Sequence, residues 1–176
     1  KGAMSSRMIG WFGDGNGYIG NPDLKPERAD TLSAAVEFRG AGGEWSLRIA
    51  PYYTHVDDYI DAVFVRKLTD MMGMPTPWVQ LRFANQKAEF YGLDLSGRLV
   101  LRQDGQGNAT ELSGSLAYLH GQNLADKGPL YHQMPLDAKL GLQHRQGALE
   151  AGVEVEIVAE KDRVDTTRNE PRTDGY

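Results

Sequence analysis

Hydrophobic and polar residues alternate along the stretch from Asn85 to Arg102, the longest regular pattern in the sequence. One set of alternate positions is apolar with a glycine among them: Tyr91, Leu93, Leu95, Gly97, Leu99 and Leu101. The other set is polar: Asp94, Ser96, Arg98 and Arg102. A period of two predicts a β-strand with one apolar and one polar face. Counted back to Phe83, the run approaches roughly twenty residues, whereas a globular strand averages about five or six and a membrane crossing takes about 9–11.

The same alternation recurs in other segments and predicts about six long strands. The remaining five cover residues 29–39, 45–65, 110–122, 136–146 and 149–160. Pro51 lies inside the second of them and predicts a bulge or a local break there, because proline donates no hydrogen bond to a sheet. Consecutive strands with short turns favour an antiparallel up-and-down meander, so the fold class is all-β.

The predicted connections alternate in length. Those after the first, third and fifth strands are short, whereas residues 67–77, 123–134 and 161–176 are predicted as longer loops. Outer-membrane barrels have short turns at one end and long extracellular loops at the other, and a Greek-key sandwich is not expected to sort its connections this way. Because membrane barrels have at least about eight strands, six strands predict one segment of a larger barrel. Residues 1–28 are predicted as a loop and strand entry, 29–160 as the meander and 161–176 as an extracellular loop.

Composition excludes several classes of protein. Among the 176 residues there is no cysteine, so disulfides and thiolate metal sites are excluded. No apolar run is long enough for a transmembrane helix. The net charge of −5 argues against a nucleic-acid partner.

Motifs for enzymatic chemistry are weak, so we expect neither an enzyme nor a cofactor. The glycines of residues 13–17 lack the strand-to-helix context and spacing of a nucleotide-binding loop. Ser113-Gly114-Ser115 lies within a predicted strand and does not form a nucleophile elbow.

Three segments together resemble the barrel of TonB-dependent outer-membrane receptors. Residues 21–27 read NPDLKPE and precede a strand, which resembles a signature of that barrel. Residues 85–94 read NQKAEFYGLD and resemble the receptors' strand with the pattern N…A…YG, and Met134-Pro135 resembles the entry to a later strand. The resemblance covers roughly residues 18–160, and its first motif is the most specific.

The resemblance implies a function and a location. It implies part of a transmembrane β-barrel of about 22 strands in the outer membrane of a Gram-negative bacterium, with the plug domain that contacts the TonB complex outside this sequence. The expected partners are a ferric siderophore or another metal chelate, the TonB complex and outer-membrane lipid. Two alternatives remain open at this point: a copper-selective receptor of the same family, and a soluble all-β binding or adhesion module.

Several residues are candidates for binding a ligand or a metal. Met71, Met72 and Met74 cluster in a predicted extracellular loop, where their thioethers suit Cu(I), and His120 lies near the same end; the alternative is a loop that packs on its own methionines. Side chains at that end which could cradle an aromatic or anionic chelate, or else form the aromatic girdle, are Trp78, Arg82, Tyr131 and His132.

One further cluster lies within the second predicted strand. There the alternation places four polar side chains on one face, which either hold a metal or, as we favour, form a polar inner wall: His55, Asp57, Tyr59 and Asp61.

Overall fold

The computed structural model describes residues 14–176, and these residues form a single twisted sheet. The strands are β1 (Gly17–Ile19), β2 (Arg28–Ser33), β3 (Val36–Arg39), β4 (Trp45–Thr69), β5 (Pro75–Gln103), β6 (Ala109–Asn123), β7 (Asp137–Gln146) and β8 (Leu149–Val158). A short 3-10 helix covers Thr166–Arg168. No helix within the described part of the chain is long and apolar enough to cross a membrane.

The strands pair in sequence order, which confirms the antiparallel meander. Neighbours across the sheet follow the order β2-β4-β5-β6-β7-β8, and β3 also pairs with β4. β1 pairs in parallel with β5, at Gln80 to Arg82. This small strand falls in the glycine-rich segment that the sequence predicts as irregular.

The first predicted strand is interrupted, and Pro51 supplies the reason. β4 runs through Pro51 without a shift in register against β5, so the prediction of a bulge or break in β4 at Pro51 is wrong. The break lies on the neighbouring edge instead, at residues 34–35 between β2 and β3. Pro51 has no N–H to donate to that edge. It only accepts, from the backbone N–H of Ala34 at 3.1 Å.

The loop predicted over residues 67–77 is also wrong, because both flanking strands continue into it. β4 ends at Thr69 and β5 begins at Pro75, leaving a tight turn. The Asp70 carboxylate closes this turn by accepting from the backbone N–H groups of Met72 at 2.9 Å and Met74 at 2.8 Å. The β4–β5 hairpin is therefore much longer than its neighbours, and it defines the upper end of the sheet together with residues 124–136. The short turns at residues 40–44, 104–108 and 147–148 lie at the lower end.

Strand register gathers the apolar positions on one face, which we call the outer face. Paired positions on it include Ile49 with Leu95, Leu95 with Leu116, Leu116 with Ala138 and Ala138 with Ile157. Leucines and valines on this face stay exposed, for example Leu140 at 53% and Val153 at 62%. The opposite, inner face carries charged pairs, such as Lys139 with Glu156 at 3.1 Å.

The apolar band on the outer face has the height of a membrane. On β5 it runs from Tyr91 to Leu101, about the 9–11 residues with which a tilted strand crosses a bilayer. Aromatic residues border the band, with Tyr53 beside Tyr91 at its upper edge and Trp45 beside Leu99 near its lower edge. Above Tyr91 the next outer position is the polar Glu89. Such a band between two aromatic girdles is typical of a transmembrane barrel wall.

The buried core of the described chain lies above this band. One cluster contains Tyr18, Ala62, Val79 and Leu81, and a second contains Val56, Ala88 and Leu130. Both clusters involve the projecting part of the β4–β5 hairpin. The upper end is therefore a packed structure, on which a site can be built.

Candidate functional site

Two of the three resemblance motifs, residues 21–27 and 85–94, contact each other directly at the upper end. The Asn85 side chain accepts from the Lys25 backbone N–H at 2.8 Å and donates to the Lys25 carbonyl at 2.9 Å and the Asp58 carbonyl at 2.6 Å. The Glu27 carboxylate accepts from the backbone N–H of Ile60 at 2.7 Å. These bonds satisfy backbone groups beside a bulge in β4, where Asp58 takes a positive φ of 57°. NPDLKPE thus serves to hold the bulge.

This bulge changes which residues of β4 face inward. Val56 pairs with Ala88, but Tyr59 pairs with Gln86, so β4 contains one extra residue and its alternation shifts. His55 and Asp57 lie on the outer face, where Asp57 pairs with Lys87 at 2.9 Å. Tyr59 and Asp61 face inward. The prediction that His55, Asp57, Tyr59 and Asp61 share one face is therefore wrong.

Arg168, in the tail after β8, packs against β4, and only 6% of its surface is exposed. Its Nη2 forms an ion pair with the Asp61 carboxylate and donates to the Ala62 carbonyl at 3.3 Å. Its Cζ lies 4.6 Å from the centre of the Tyr131 ring. The Nε lies 3.2 Å from Asp165 Oδ2 but forms no hydrogen bond of ordinary geometry within the described chain. Burial raises the pKa of the Asp165 carboxyl, and Arg168 offsets part of that increase.

Glu170 anchors the same tail to the loop between β6 and β7. Its Oε1 accepts from the His132 backbone N–H at 2.9 Å and from Lys161 Nζ at 2.5 Å, and its Oε2 accepts from the Asp165 N–H at 2.7 Å. Burial raises the pKa of Glu170, but the bonds from Lys161 and the two backbone donors outweigh it and hold the pKa below its ordinary value. We call the segment from Lys161 to Glu170, with these contacts, the tail latch.

Asn16, which is fully buried, connects the tail latch to β5. Its side chain donates to the Arg168 carbonyl at 2.8 Å and accepts from the Val79 N–H at 3.1 Å. The tail, β1 and the β4–β5 hairpin are thereby joined by one hydrogen-bonded network.

A polar cleft of about 260 Å³ opens between the tail latch, β4 and the β6–β7 loop. Its side chains that can bond a ligand are Asp61, Gln86, Asn123, Asp126, Asp165, Thr166 and Thr167. Two of the carboxylates, those of Asp61 and Asp165, already face Arg168. Within the described chain no group of three or more His, Cys, Asp or Glu side chains is placed to hold a metal ion. The cleft suits a polar ligand bound through amides and hydroxyls.

The residues predicted to bind a chelate are placed around this upper end. Tyr131 and His132 stack at 3.9 Å between ring centres, beside Arg168. Burial raises the pKa of the Tyr131 hydroxyl. Trp78 packs its ring on Gly15 and keeps 41% of its surface exposed, and Arg82 is exposed on β5. Tyr131 with His132 form one aromatic pair, whereas Trp78 and Arg82 belong to the hairpin.

The predicted metal residues fall into two separate places. Met71, Met72 and Met74 are exposed at the hairpin tip, at 105%, 85% and 60%, so this turn does not pack on its own methionines. His120 pairs with Tyr91, far down β5, and stacks on that ring at 4.5 Å. At about 3.3 Å per residue, the tip and His120 are roughly 50 Å apart along the strand. The four residues do not form one site.

Sequence reasoning missed the residues that organise the cleft. Arg168 and Glu170 lie in a charged segment that reads as a loop. One local signal was present, because Asp165 caps the 3-10 helix through Thr167 N–H at 2.9 Å. Nothing in the sequence indicated the distant partners Asp61 and His132.

Comparison with known proteins decides the family. A family model described as TonB-dependent receptor-like β-barrel matches residues 6–176, nearly the whole chain. The chain belongs to the TonB-dependent receptors. As part of such a receptor it lies in the outer membrane of a Gram-negative bacterium, where the apolar outer face is the one suited to contact lipid. The soluble-module alternative is therefore wrong.

A solved structure supports the same fold. The copper transporter OprC superposes on 88% of this receptor chain with a TM-score of 0.71 and 24% sequence identity. The chain spans 23% of the length of that transporter. At this identity the likeness shows the fold alone. Both the family and this neighbour are receptors or transporters. Among curated proteins, no match was found.

Proposed function

We propose that this chain forms part of the wall and extracellular mouth of a receptor that imports a metal chelate by TonB-energised transport. The first candidate for this chelate is a ferric siderophore. The observation that carries the proposal is the polar inner face, which continues above the lipid-facing band into the cleft beside the tail latch. A ligand that enters the lumen from outside would pass this cleft. Binding and gated passage need no covalent step.

The chemistry of the cleft favours a metal that arrives already chelated. The cleft offers amide and hydroxyl groups with an adjacent aromatic pair and Arg168, and it lacks a set of ligands for a bare ion. Hydrogen bonds and aromatic contacts recognise the organic shell of a chelate and leave its metal coordinated. The gating plug and the TonB complex would complete the site and supply the energy.

Copper is the second candidate, and the hairpin tip is the observation that favours it. Three methionine side chains project from a turn whose backbone is already closed by Asp70. Thioethers are soft ligands that select Cu(I). A copper transporter shares the fold. In this alternative the tip captures the ion before it enters the lumen.

The test uses the intact receptor in detergent and follows tryptophan fluorescence during titration with Cu(I) or with a ferric catecholate chelate. Trp78 lies four residues from Met74 on the same hairpin, so its fluorescence reports on the tip. Replacing Trp78 with Phe identifies its share of the signal. Met71, Met72 and Met74 are replaced together by Leu, and Met134→Leu is the matched control, since Met134 is 73% exposed away from the tip.

The two candidates give opposite results. Saturable quenching by the ferric chelate that is unchanged by the triple leucine variant supports the proposal. Saturable quenching by Cu(I) that is lost in the triple variant but kept in Met134→Leu replaces it with the copper alternative. If neither probe saturates, the proposal of a metal chelate is wrong.

A further inference from the structure

A groove of about 370 Å³ lies on the outer face within the apolar band. Its floor is a cross-strand pair of glycines, Gly97 and Gly114, which lie directly opposite each other on β5 and β6. Its walls are apolar side chains: Leu47, Leu95, Leu116, Ala138 and Leu140. The groove spans β4 to β7, in the middle of the sheet, so no neighbouring barrel strand covers it. It is continuous with the surface that faces the membrane hydrocarbon.

Steric clash does not explain why the floor of the groove consists of glycines. A Cβ added at Gly114 would lie 3.4 Å from Leu140 Cδ2, and one added at Gly97 would lie 3.4 Å from the Ser46 carbonyl oxygen. Both contacts are tight but can be relieved by a small shift. A larger side chain at Gly114 would have the flexible end of Leu140 as the nearest contact of its Cβ and would occupy part of the groove, which makes the groove's occupancy testable.

The positively charged side chain of Arg163 lies above the upper end of the groove. His120 continues the outer face of β6 four residues above Leu116, about 13 Å along the strand, and Arg163 contacts its ring nitrogens. In the described chain Arg163 forms no ion pair, although Glu160 and Asp162 line the same small cavity. Lys161, also there, is already paired with Glu170. The guanidinium of Arg163 is thus a positive charge without an ion-pair partner in the described chain, close to the membrane boundary.

We propose that this groove and Arg163 together form a binding site for an anionic lipid of the outer leaflet. An acyl chain lies over Gly97 and Gly114, and the phosphate of the headgroup bonds to Arg163 beside the Tyr118 and Tyr91 rings. A guanidinium is a strong partner for phosphate because it donates two parallel hydrogen bonds. The separation of about 13 Å between Leu116 in the groove and His120, the residue that Arg163 contacts, suits one lipid molecule. This site is independent of the transported ligand.

The test measures lipid binding to the intact receptor by native mass spectrometry. Phosphatidylglycerol and phosphatidylcholine with identical acyl chains are titrated into the purified receptor, and the dissociation constant of the tightest-bound lipid is determined. We expect tighter binding of the anionic lipid. Arg163→Gln should weaken that binding about tenfold, which corresponds to about 1.4 kcal/mol. Gly114→Leu should weaken binding of both lipids.

Matched variants separate this site from general effects. Arg66→Gln removes an exposed arginine on the projecting hairpin, and Ala151→Leu places a leucine elsewhere on the outer face. Both variants should bind lipid as the unchanged receptor does. Arg163→Lys keeps the charge but loses the two parallel hydrogen bonds, so its affinity for the anionic lipid should lie between those of the unchanged receptor and Arg163→Gln. Only variants that keep the heat-modifiable migration of a folded barrel are compared. Equal binding of the two lipids, or unchanged binding in both Arg163→Gln and Gly114→Leu, would overturn the proposal.

Discussion

Gly92 lies directly opposite Tyr52 in the register of β4 and β5, and this contact explains the glycine of the YG motif. A Cβ at position 92 would lie 2.3 Å from Tyr52 Cζ and 2.5 Å from the Tyr118 carbonyl oxygen. A ring can rotate away, but the carbonyl belongs to the β6 backbone and cannot move without breaking the ladder. The tyrosine covers a strand glycine, an arrangement that pins register between strands.

We therefore predict that Gly92→Ala destabilises the receptor by about 1–3 kcal/mol, the usual cost of overpacking. The matched control is Gly97→Ala, whose Cβ would meet nothing closer than 3.4 Å. The measurement is the temperature at which each purified receptor loses its heat-modifiable migration. Equal transition temperatures for the two variants would contradict this account of Gly92.

Single residues also show why parts of the site were not predictable. The sequence indicated NPDLKPE and the later asparagine by resemblance, but their mutual contact emerges only when β2 folds beside β4. Alternation placed His55 and Asp61 on one face because no local signal marks the extra residue at Asp57-Asp58. A bulge reverses every later side chain of its strand, so one unrecognised residue misplaced half the cluster.

The strands of the membrane band were predictable because one rule governs all of them. The observed β6, β7 and β8 each begin and end within about two residues of the alternating segments, the usual uncertainty of strand ends. The alternation of apolar and polar residues ends above the membrane band, where no contact with lipid requires it. Above Tyr91 the β4–β5 hairpin is held by bulges and tertiary contacts, so its Met-Pro turn read as a long loop.

At the level of a single strand, the two faces of β6 should respond oppositely to charge. Leu116 faces lipid, whereas the adjacent Ala117 faces inward between Asp94 and Asp137. We predict that Leu116→Arg costs about 2–4 kcal/mol, as arginine does at the bilayer midplane, and that Ala117→Arg is tolerated. Urea titration of receptor folding into lipid vesicles measures both. Similar losses in the two variants would mean that the faces are assigned incorrectly.

The tail latch should depend on the charge of Glu170. Because its pKa is lowered in the folded protein, its contribution to stability is present above the ordinary pKa of a glutamate, about 4.3, and is lost as the pH falls through the lower folded value. Glu170→Gln should therefore lower the free energy needed to open the tail latch by about 1–3 kcal/mol at pH 7. In strong acid the variant and the unchanged receptor should no longer differ in this free energy.

Hydrogen exchange of residues 161–176 in the intact receptor measures this opening. After correction for the intrinsic exchange rates, we expect faster exchange in Glu170→Gln at pH 7 and equal exchange at a pH below the folded pKa. Glu160→Gln is the control, since Glu160 is exposed and makes no hydrogen bond or ion pair in the described chain. Unchanged protection at pH 7 in Glu170→Gln would show that Glu170 does not hold the tail.

For the molecule as a whole, the sheet has two surfaces and two zones. Within the membrane zone the outer face is apolar and the inner face is charged. In the zone above, packed clusters and the tail latch build the upper end, which we propose as the mouth of the receptor. The fold could be predicted because it follows from the length and period of the strands, and the location could be predicted from the resemblance of three segments to a known family. The cleft could not, because it depends on a tail whose charged sequence resembles any solvated loop.

The central claim, that β5 crosses the outer membrane with its band from Tyr91 to Leu101, can be measured directly by spin labelling. Single cysteines at consecutive positions from Lys87 to Leu101, in an otherwise cysteine-free intact receptor, are labelled and reconstituted in lipid. Collision with oxygen reports lipid exposure, and collision with a water-soluble nickel chelate reports water. The account predicts that oxygen access alternates with a period of two between residues 91 and 101 and that nickel access dominates outer positions above Tyr91. Nickel access at Leu93, Leu95 and Leu99 equal to that at Lys87 would contradict it.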